Sequence, residues 1–113
     1  MARKRTDQVN ELLRREISLI FARELEFAKG VVVTVTAVNV ESKLEHATAL
    51  LGIYPLLNKN ATLTLIKKRA PFIQGLLNHR LHMAHIPQIR YEFDSEGNAL
   101  FDLDSLIDEA NKN

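Results

Sequence analysis

A run of β-branched residues constrains the fold of this chain more than any other feature of its sequence. Eight of the ten residues from 31 to 40 are valine or threonine. Their χ1 angles are restricted, which disfavours a helix and suits the pleated surface of a sheet. The run therefore predicts a long strand, which needs another element to cover its apolar face.

The segments on either side of this run predict its packing partners. From residue 6 to residue 29, apolar residues recur at intervals of three and four, a pattern typical of an amphipathic helix that ends at Lys29 and Gly30. A polar turn at 41–45 then leads into residues 47–54, which are typical of a second strand ended by Pro55. We expect a helix followed by a β-hairpin.

The second half of the chain contains one segment of open assignment. Residues 60–66 fit a strand by their Thr/Leu alternation, or a capped helix followed by basic residues. Pro71 is typical of the first turn of a new helix, which residues 86–87 would end. The apolar stripe of that helix would be Phe72, Ile73, Leu76, Leu77 and Leu81. Residues 89–93 alternate as a third strand, and a short acidic helix or tail is expected at 98–113.

Length and composition favour a single domain spanning residues 1–113. The chain is 46% apolar and has no cysteine, which excludes disulfides and thiolate metal sites. It lacks a run of about 18 apolar residues that could span a membrane, and its basic start has no apolar signal-peptide core. We expect a cytoplasmic protein.

The net charge of +1 conceals a strong segregation of charge along the chain. Residues 1–91 hold 14 Lys and Arg against seven Asp and Glu, whereas residues 92–113 hold one lysine against seven acids. Between His46 and Tyr91 there is no acid at all. A long segment without carboxylates favours a surface that binds a polyanion.

Residue patterns for catalysis or metal binding are missing. There is no Gly-x-Ser-x-Gly elbow, and the four glycines are too far apart for a phosphate-binding loop. His79, His82 and His85 could share a metal if a helix continued through them, but no nearby carboxylate would orient their rings. We expect no enzyme, cofactor or metal, and interpret these histidines as facing solvent or phosphate.

The basic residues instead predict contacts with nucleic-acid phosphates. Clustered cations at the ends of elements can reach a phosphate backbone, and a helix N-terminus beside a proline would offer free N–H groups. The candidate RNA-binding residues are Arg3, Lys4, Arg5, Lys67, Lys68, Arg69, Ala70, Pro71, His79 and Arg80. The first three would form a flexible cationic arm.

Four groups of residues carry a resemblance to a known family: residues 5–25, residues 35–38 with Leu44 and Ala47, residues 72–77 and residues 80–94. In their order and spacing they resemble the ribosome-binding factor A family of bacterial small-subunit maturation proteins. The resemblance implies an α+β fold of the type II KH-like kind, ordered α-β-β-α-kink-α-β, with a three-stranded sheet. It also implies a monomer without catalytic residues.

The family function implied by this resemblance is binding of ribosomal RNA on the free, immature 30S subunit. It includes late maturation, processing of the 16S rRNA 5′ end, and cold adaptation. The sequence departs from the family at Pro71, where a kink glycine is usual, and at Lys43, where aspartate is common. The alternatives are a protein-interaction module and a DNA-binding KH-like regulator.

Overall fold

The computed structural model describes residues 2–96, with side chains from Thr6 onward. Two helices and three strands follow one another in the order α1 (Ala2–Glu24), β1 (Val32–Val40), β2 (His46–Tyr54), α2 (Lys59–Arg80) and β3 (Gln88–Phe93), with a short 3-10 turn before α2. The α+β class and the three-stranded sheet are confirmed. The predicted acidic C-terminal helix or tail lies outside the described residues.

The sheet has β2 in its centre, so β1 and β3 are the edge strands. β1 and β2 pair antiparallel as the predicted hairpin, with Val32 opposite Tyr54 and Val40 opposite Ala47, and a bulge lies between Val35 and Ala37. β3 runs parallel to β2. A parallel pair needs a crossover connection, and α2 supplies it.

Both helices contribute side chains to one core with the sheet. In β1, Val35 and Val38 are buried while Thr34 and Asn39 are exposed, because the bulge brings two valines three positions apart onto the same face of the sheet. The side chains with the largest buried volumes are Leu13, Ile17, Leu51, Ile53, Ile66, Ile73, Leu77 and Pro87. Every element except the 3-10 turn before α2 supplies buried apolar residues to this core.

The helix ends differ from those that the sequence predicts. α1 stops at Glu24, before Lys29 and Gly30. Gly30 adopts a φ of +84°, and it does so in the turn before β1, where the Val31 N–H bonds to the carbonyl of Ala28 at 3.0 Å. The glycine therefore serves a turn, because the helix has already ended.

α2 corrects the predicted break at Pro71. One helix runs from Lys59 to Arg80 with Pro71 inside it, and residues 60–66 belong to this helix. An internal proline costs about 3 kcal/mol, whereas burying each large aliphatic side chain contributes about 1.5–3 kcal/mol. Ile66, Ile73 and Leu77 are fully buried on either side of the proline, so their burial offsets its cost.

The side chain of Gln74 connects α2 to the beginning of β3 by hydrogen bonds. It is 8% exposed and accepts a hydrogen bond from the Ile89 N–H at 3.0 Å. Its amide nitrogen donates to the carbonyl of Pro87, also at 3.0 Å. Ile89 lies on the edge strand, so a side chain satisfies a backbone N–H that faces away from β2.

Candidate nucleic-acid interface

The middle of α2 presents three consecutive cations, Lys67, Lys68 and Arg69, which we call the α2 cation cluster. Ile66, just before the cluster, is buried in the core. Each following residue is rotated by about 100° around the helix axis from the one before it, and the next three side chains reach solvent. No ion pair among the described side chains includes the cluster. α2 has no acidic residue, so the cluster keeps its positive charge for an external anion.

Arg69 and Phe72 form a cation–π pair on the outer side of α2. The guanidinium carbon lies 4.4 Å from the centre of the ring, and Phe72 is 40% exposed. Phe72 therefore does not belong to the buried stripe that the sequence predicts. An exposed aromatic ring beside a cation can stack on an unpaired base while the cation contacts phosphate.

A shallow groove opens on the other side of the cluster, between α2 and β3. It has a volume of about 400 Å³ and is lined by Lys67, Ala70 and residues 89–92. Ala70 is half-buried at its wall, while Ile89 and Tyr91 form its apolar floor. The groove thus combines an apolar floor with the charged side chains of Lys67, Arg90 and Glu92.

Pro71 is exposed two positions after the α2 cation cluster, but no helix begins there. The predicted helix N-terminus at Ala70 and Pro71 is therefore wrong, while RNA contact at these two residues stays a prediction. Proline lacks the N–H that would bond to the carbonyl of Lys67, so this carbonyl is left without its helical donor. The position contributes an acceptor and no N–H donors.

His79 and Arg80 lie apart from the α2 cation cluster. Arg80 follows Lys68 by twelve positions, a distance of about 18 Å along a helix. Arg80 donates to the Glu16 carboxylate of α1 at 3.0 Å, and this pair connects the two helices. His79 is exposed in the last turn of α2. Arg80 therefore already has an anionic partner that RNA would have to displace.

The predicted N-terminal arm is part of a helix. Arg3, Lys4 and Arg5 belong to the first turns of α1, which begins at Ala2, so the expectation of a flexible arm is wrong. Their side chains lie outside the described residues.

The three histidines near residue 80 do not share one helix face. α2 ends at Arg80, so His82 and His85 lie in the following loop. The part of the chain that the structure describes contains no group of three or more His, Asp or Glu that could hold a metal ion.

A comparison with protein families identifies the family of this chain. The family model described as ribosome-binding factor A matches residues 5–107. The chain belongs to the ribosome-binding factor A family. The resemblance read from the sequence is thus confirmed, and the match includes both helices, the whole sheet and the α2 cation cluster.

Relatives named ribosome-binding factor A match almost the entire chain. The protein of Akkermansia muciniphila is 32% identical over 110 residues, which cover 97% of this chain and 87% of the relative. The protein of Syntrophobacter fumaroxidans is 29% identical over 116 residues, which cover 100% and 99% of the two chains.

Solved structures of ribosome-binding factor A have the same fold. The crystal structure of the protein from Thermus thermophilus matches with a TM-score of 0.69 at 12% identity, covering 78% of this chain and 93% of the other. The solution structure of a Thermotoga maritima protein matches with a TM-score of 0.56 at 18% identity, covering 74% and 85%. At such identities the likeness concerns the fold alone.

In this ribosome-binding factor A family member, Phe72 and the groove residues are additions to the site that sequence reasoning missed. Phe72 follows Pro71 directly and sits three residues after a cation, a spacing that places both side chains on one helix face. The spacing of Arg69 and Phe72 could therefore have predicted this pair from the sequence. No local sequence pattern could have predicted the groove, because Ile89 and Tyr91 meet α2 through the tertiary fold alone.

Proposed function

We propose that this chain binds ribosomal RNA of the free, immature 30S subunit and assists late maturation of that subunit. The role includes processing of the 16S rRNA 5′ end and matters most in the cold. The protein acts as a cytoplasmic monomer, by binding and without catalysis. One observation carries this proposal: in a member of this family, the α2 cation cluster has no ion-pair partner among the described side chains and lies next to an exposed aromatic ring.

The α2 cation cluster suits RNA because charge and stacking come from the same turns of one helix. Lys67, Lys68 and Arg69 neutralise phosphates, and the release of bound counterions makes such binding weaken steeply with salt. Phe72 offers a stacking surface for an unpaired base, which favours RNA loops and single strands over duplex DNA. Neither α1 nor α2 carries an apolar stretch long enough to cross a bilayer.

Sedimentation of cell extract tests the proposal directly. The wild-type protein should co-sediment with free small subunits at low salt and leave them at moderate salt. Charge reversal of Lys67 and Lys68 to glutamate should abolish this association. A matched control reverses Lys29 and Lys43, two exposed lysines outside α2, and should retain it.

The same variants separate the competing functions. If the Lys67 and Lys68 variant sediments like the wild type, the site assignment is wrong. Association that resists nuclease would favour a protein-interaction module, and efficient competition by duplex DNA would favour a DNA-binding regulator.

The salt dependence of RNA binding tests the two lysines directly. Changing Lys67 and Lys68 to glutamine should make the slope of log affinity against log salt shallower by about 1.4–1.8, since each phosphate contact contributes about 0.7–0.9.

A further inference from the structure

The C-terminal segment of this chain is the chemical complement of the α2 cation cluster. Residues 97–113 contain four acids and one lysine. Apolar residues are interspersed with the acids: Leu100, Phe101, Leu103, Leu106 and Ile107. The segment therefore carries acids that could pair with the α2 cation cluster and apolar side chains that could cover an apolar groove.

β3 ends beside the start of α2. Lys59, the first residue of α2, places its Nζ 4.9 Å from the centre of the Phe93 ring at the end of β3. The next residue is fixed to the other two strands, because the Asp94 N–H bonds to the carbonyl of Leu51 on β2 at 2.8 Å and its carboxylate accepts from the Thr36 hydroxyl on β1 at 2.6 Å. The segment 97–113 thus follows a fixed point at the end of β3, where Phe93 contacts Lys59 of α2.

The α2 cation cluster lies within easy reach of that point. α2 runs back along β3, since Lys59 lies at the end of β3 and Gln74 contacts its beginning. Ten residues of helix from Lys59 to Arg69 measure about 15 Å. Seventeen residues follow Glu96 and span up to about 56 Å when extended. The groove lined by Lys67, Ala70 and residues 89–92 lies along the way.

We propose that residues 98–113 dock on the α2 cation cluster and the adjoining groove of their own chain, and that ribosomal RNA must displace them. The acids pair with Lys67, Lys68 and Arg69, while the apolar residues cover Ala70 and the floor of the groove. The proposal rests on the proposed function, because it describes the regulation of the same surface. RNA presents a denser line of charge, so it displaces the segment where phosphates are concentrated.

The size of the effect follows from tethering. A segment on a short linker has an effective concentration in the millimolar range. If it occupies the surface about 90% of the time, the apparent affinity for RNA falls about tenfold, because only the open fraction binds. Removing the acids of this segment should therefore raise the apparent affinity for RNA about tenfold.

The first measurement compares two full-length variants of equal charge by filter binding of a 16S rRNA transcript. The test variant neutralises the acids of the C-terminal segment: Asp102→Asn, Asp104→Asn, Asp108→Asn and Glu109→Gln. The control neutralises four exposed acids elsewhere: Asp7→Asn, Glu24→Gln, Glu26→Gln and Glu45→Gln. We expect the test variant to bind about tenfold more tightly than the wild type, and the control at most about threefold. Equal gains in the two variants would overturn the proposal.

The second measurement needs no RNA binding and so separates the two proposals. A carbodiimide joins a carboxylate to a lysine in contact with it, and mass spectrometry locates the join. We expect cross-links from residues 102–109 to Lys67 and Lys68 in the wild-type protein, lost at high salt. Cross-links that reach Lys29 and Lys43 equally would overturn docking. A transcript that no variant binds, together with cross-links to Lys67 and Lys68, would reject the proposed function and leave docking supported.

Discussion

Replacing Gln74 by leucine removes two hydrogen bonds that hold the start of β3 against α2. Both bonds are 3.0 Å long, to the Ile89 N–H and the Pro87 carbonyl, and the side chain is 8% exposed. Leucine has nearly the same volume but neither accepts nor donates. The substitution therefore leaves two backbone groups without partners and changes packing little.

The expected loss follows from these two groups. Each buried polar group left without a partner costs about 1–3 kcal/mol. The leucine side chain returns about 1 kcal/mol through better burial of apolar surface. The free energy of unfolding should then fall by about 3 kcal/mol, which for a domain of this length lowers Tm by about 12 °C.

Urea unfolding followed by circular dichroism measures this loss, and hydrogen exchange of the Ile89 amide locates it. The matched control is Gln88→Leu, the same substitution at an exposed position of β3, which should change stability by less than about 0.5 kcal/mol. Equal stabilities of the two variants would refute the argument, since they would mean that the two bonds contribute nothing to folding.

Two further predictions concern aromatic residues. Tyr91 is 5% exposed and its hydroxyl has no hydrogen-bond partner among the described residues, so Tyr91→Phe should raise the free energy of unfolding by about 1 kcal/mol. Burial also raises the pKa of the Tyr91 hydroxyl, so the folded state keeps its proton to higher pH than the unfolded state; stability should fall above about pH 10, and less in the phenylalanine variant. Urea titrations at pH 7 and pH 10.5 check both points, and a destabilised variant would reveal a hydrogen bond to the hydroxyl. Phe72→Leu should weaken binding of a 16S rRNA transcript by about 1–3 kcal/mol with an unchanged salt slope, because it removes a stacking surface and no charge. Unchanged affinity in filter binding would exclude a stacking role.

Some of the proposed site was accessible from local sequence. Lys67, Lys68 and Arg69 are consecutive, and the absence of acids between His46 and Tyr91 is visible without any structure. Charge that is clustered along the chain stays clustered in space wherever the local backbone is helical or extended. The α2 cation cluster could therefore be predicted from the sequence, although its aromatic neighbour Phe72 was assigned to the core.

Other parts depended on contacts between distant residues. The ion pair of Arg80 with Glu16 joins residues 64 positions apart, and no local pattern selects that partner. The role of Gln74 is similar, because a glutamine in a helix gives no sign that it will satisfy the backbone of a strand. Pairings of this kind arise when the core brings the elements together.

The sequence by itself determined the amphipathic α1, the hairpin of β1 and β2 and the short β3, because their periodicity and β-branched content act over a few neighbouring residues. Tertiary structure decided that residues 60–66 are helical and that α2 continues through Pro71. Local preference at those positions was divided or opposed to a helix. Burial of Ile66, Ile73 and Leu77 against the sheet outweighed it, because one continuous helix places all three side chains in the same core.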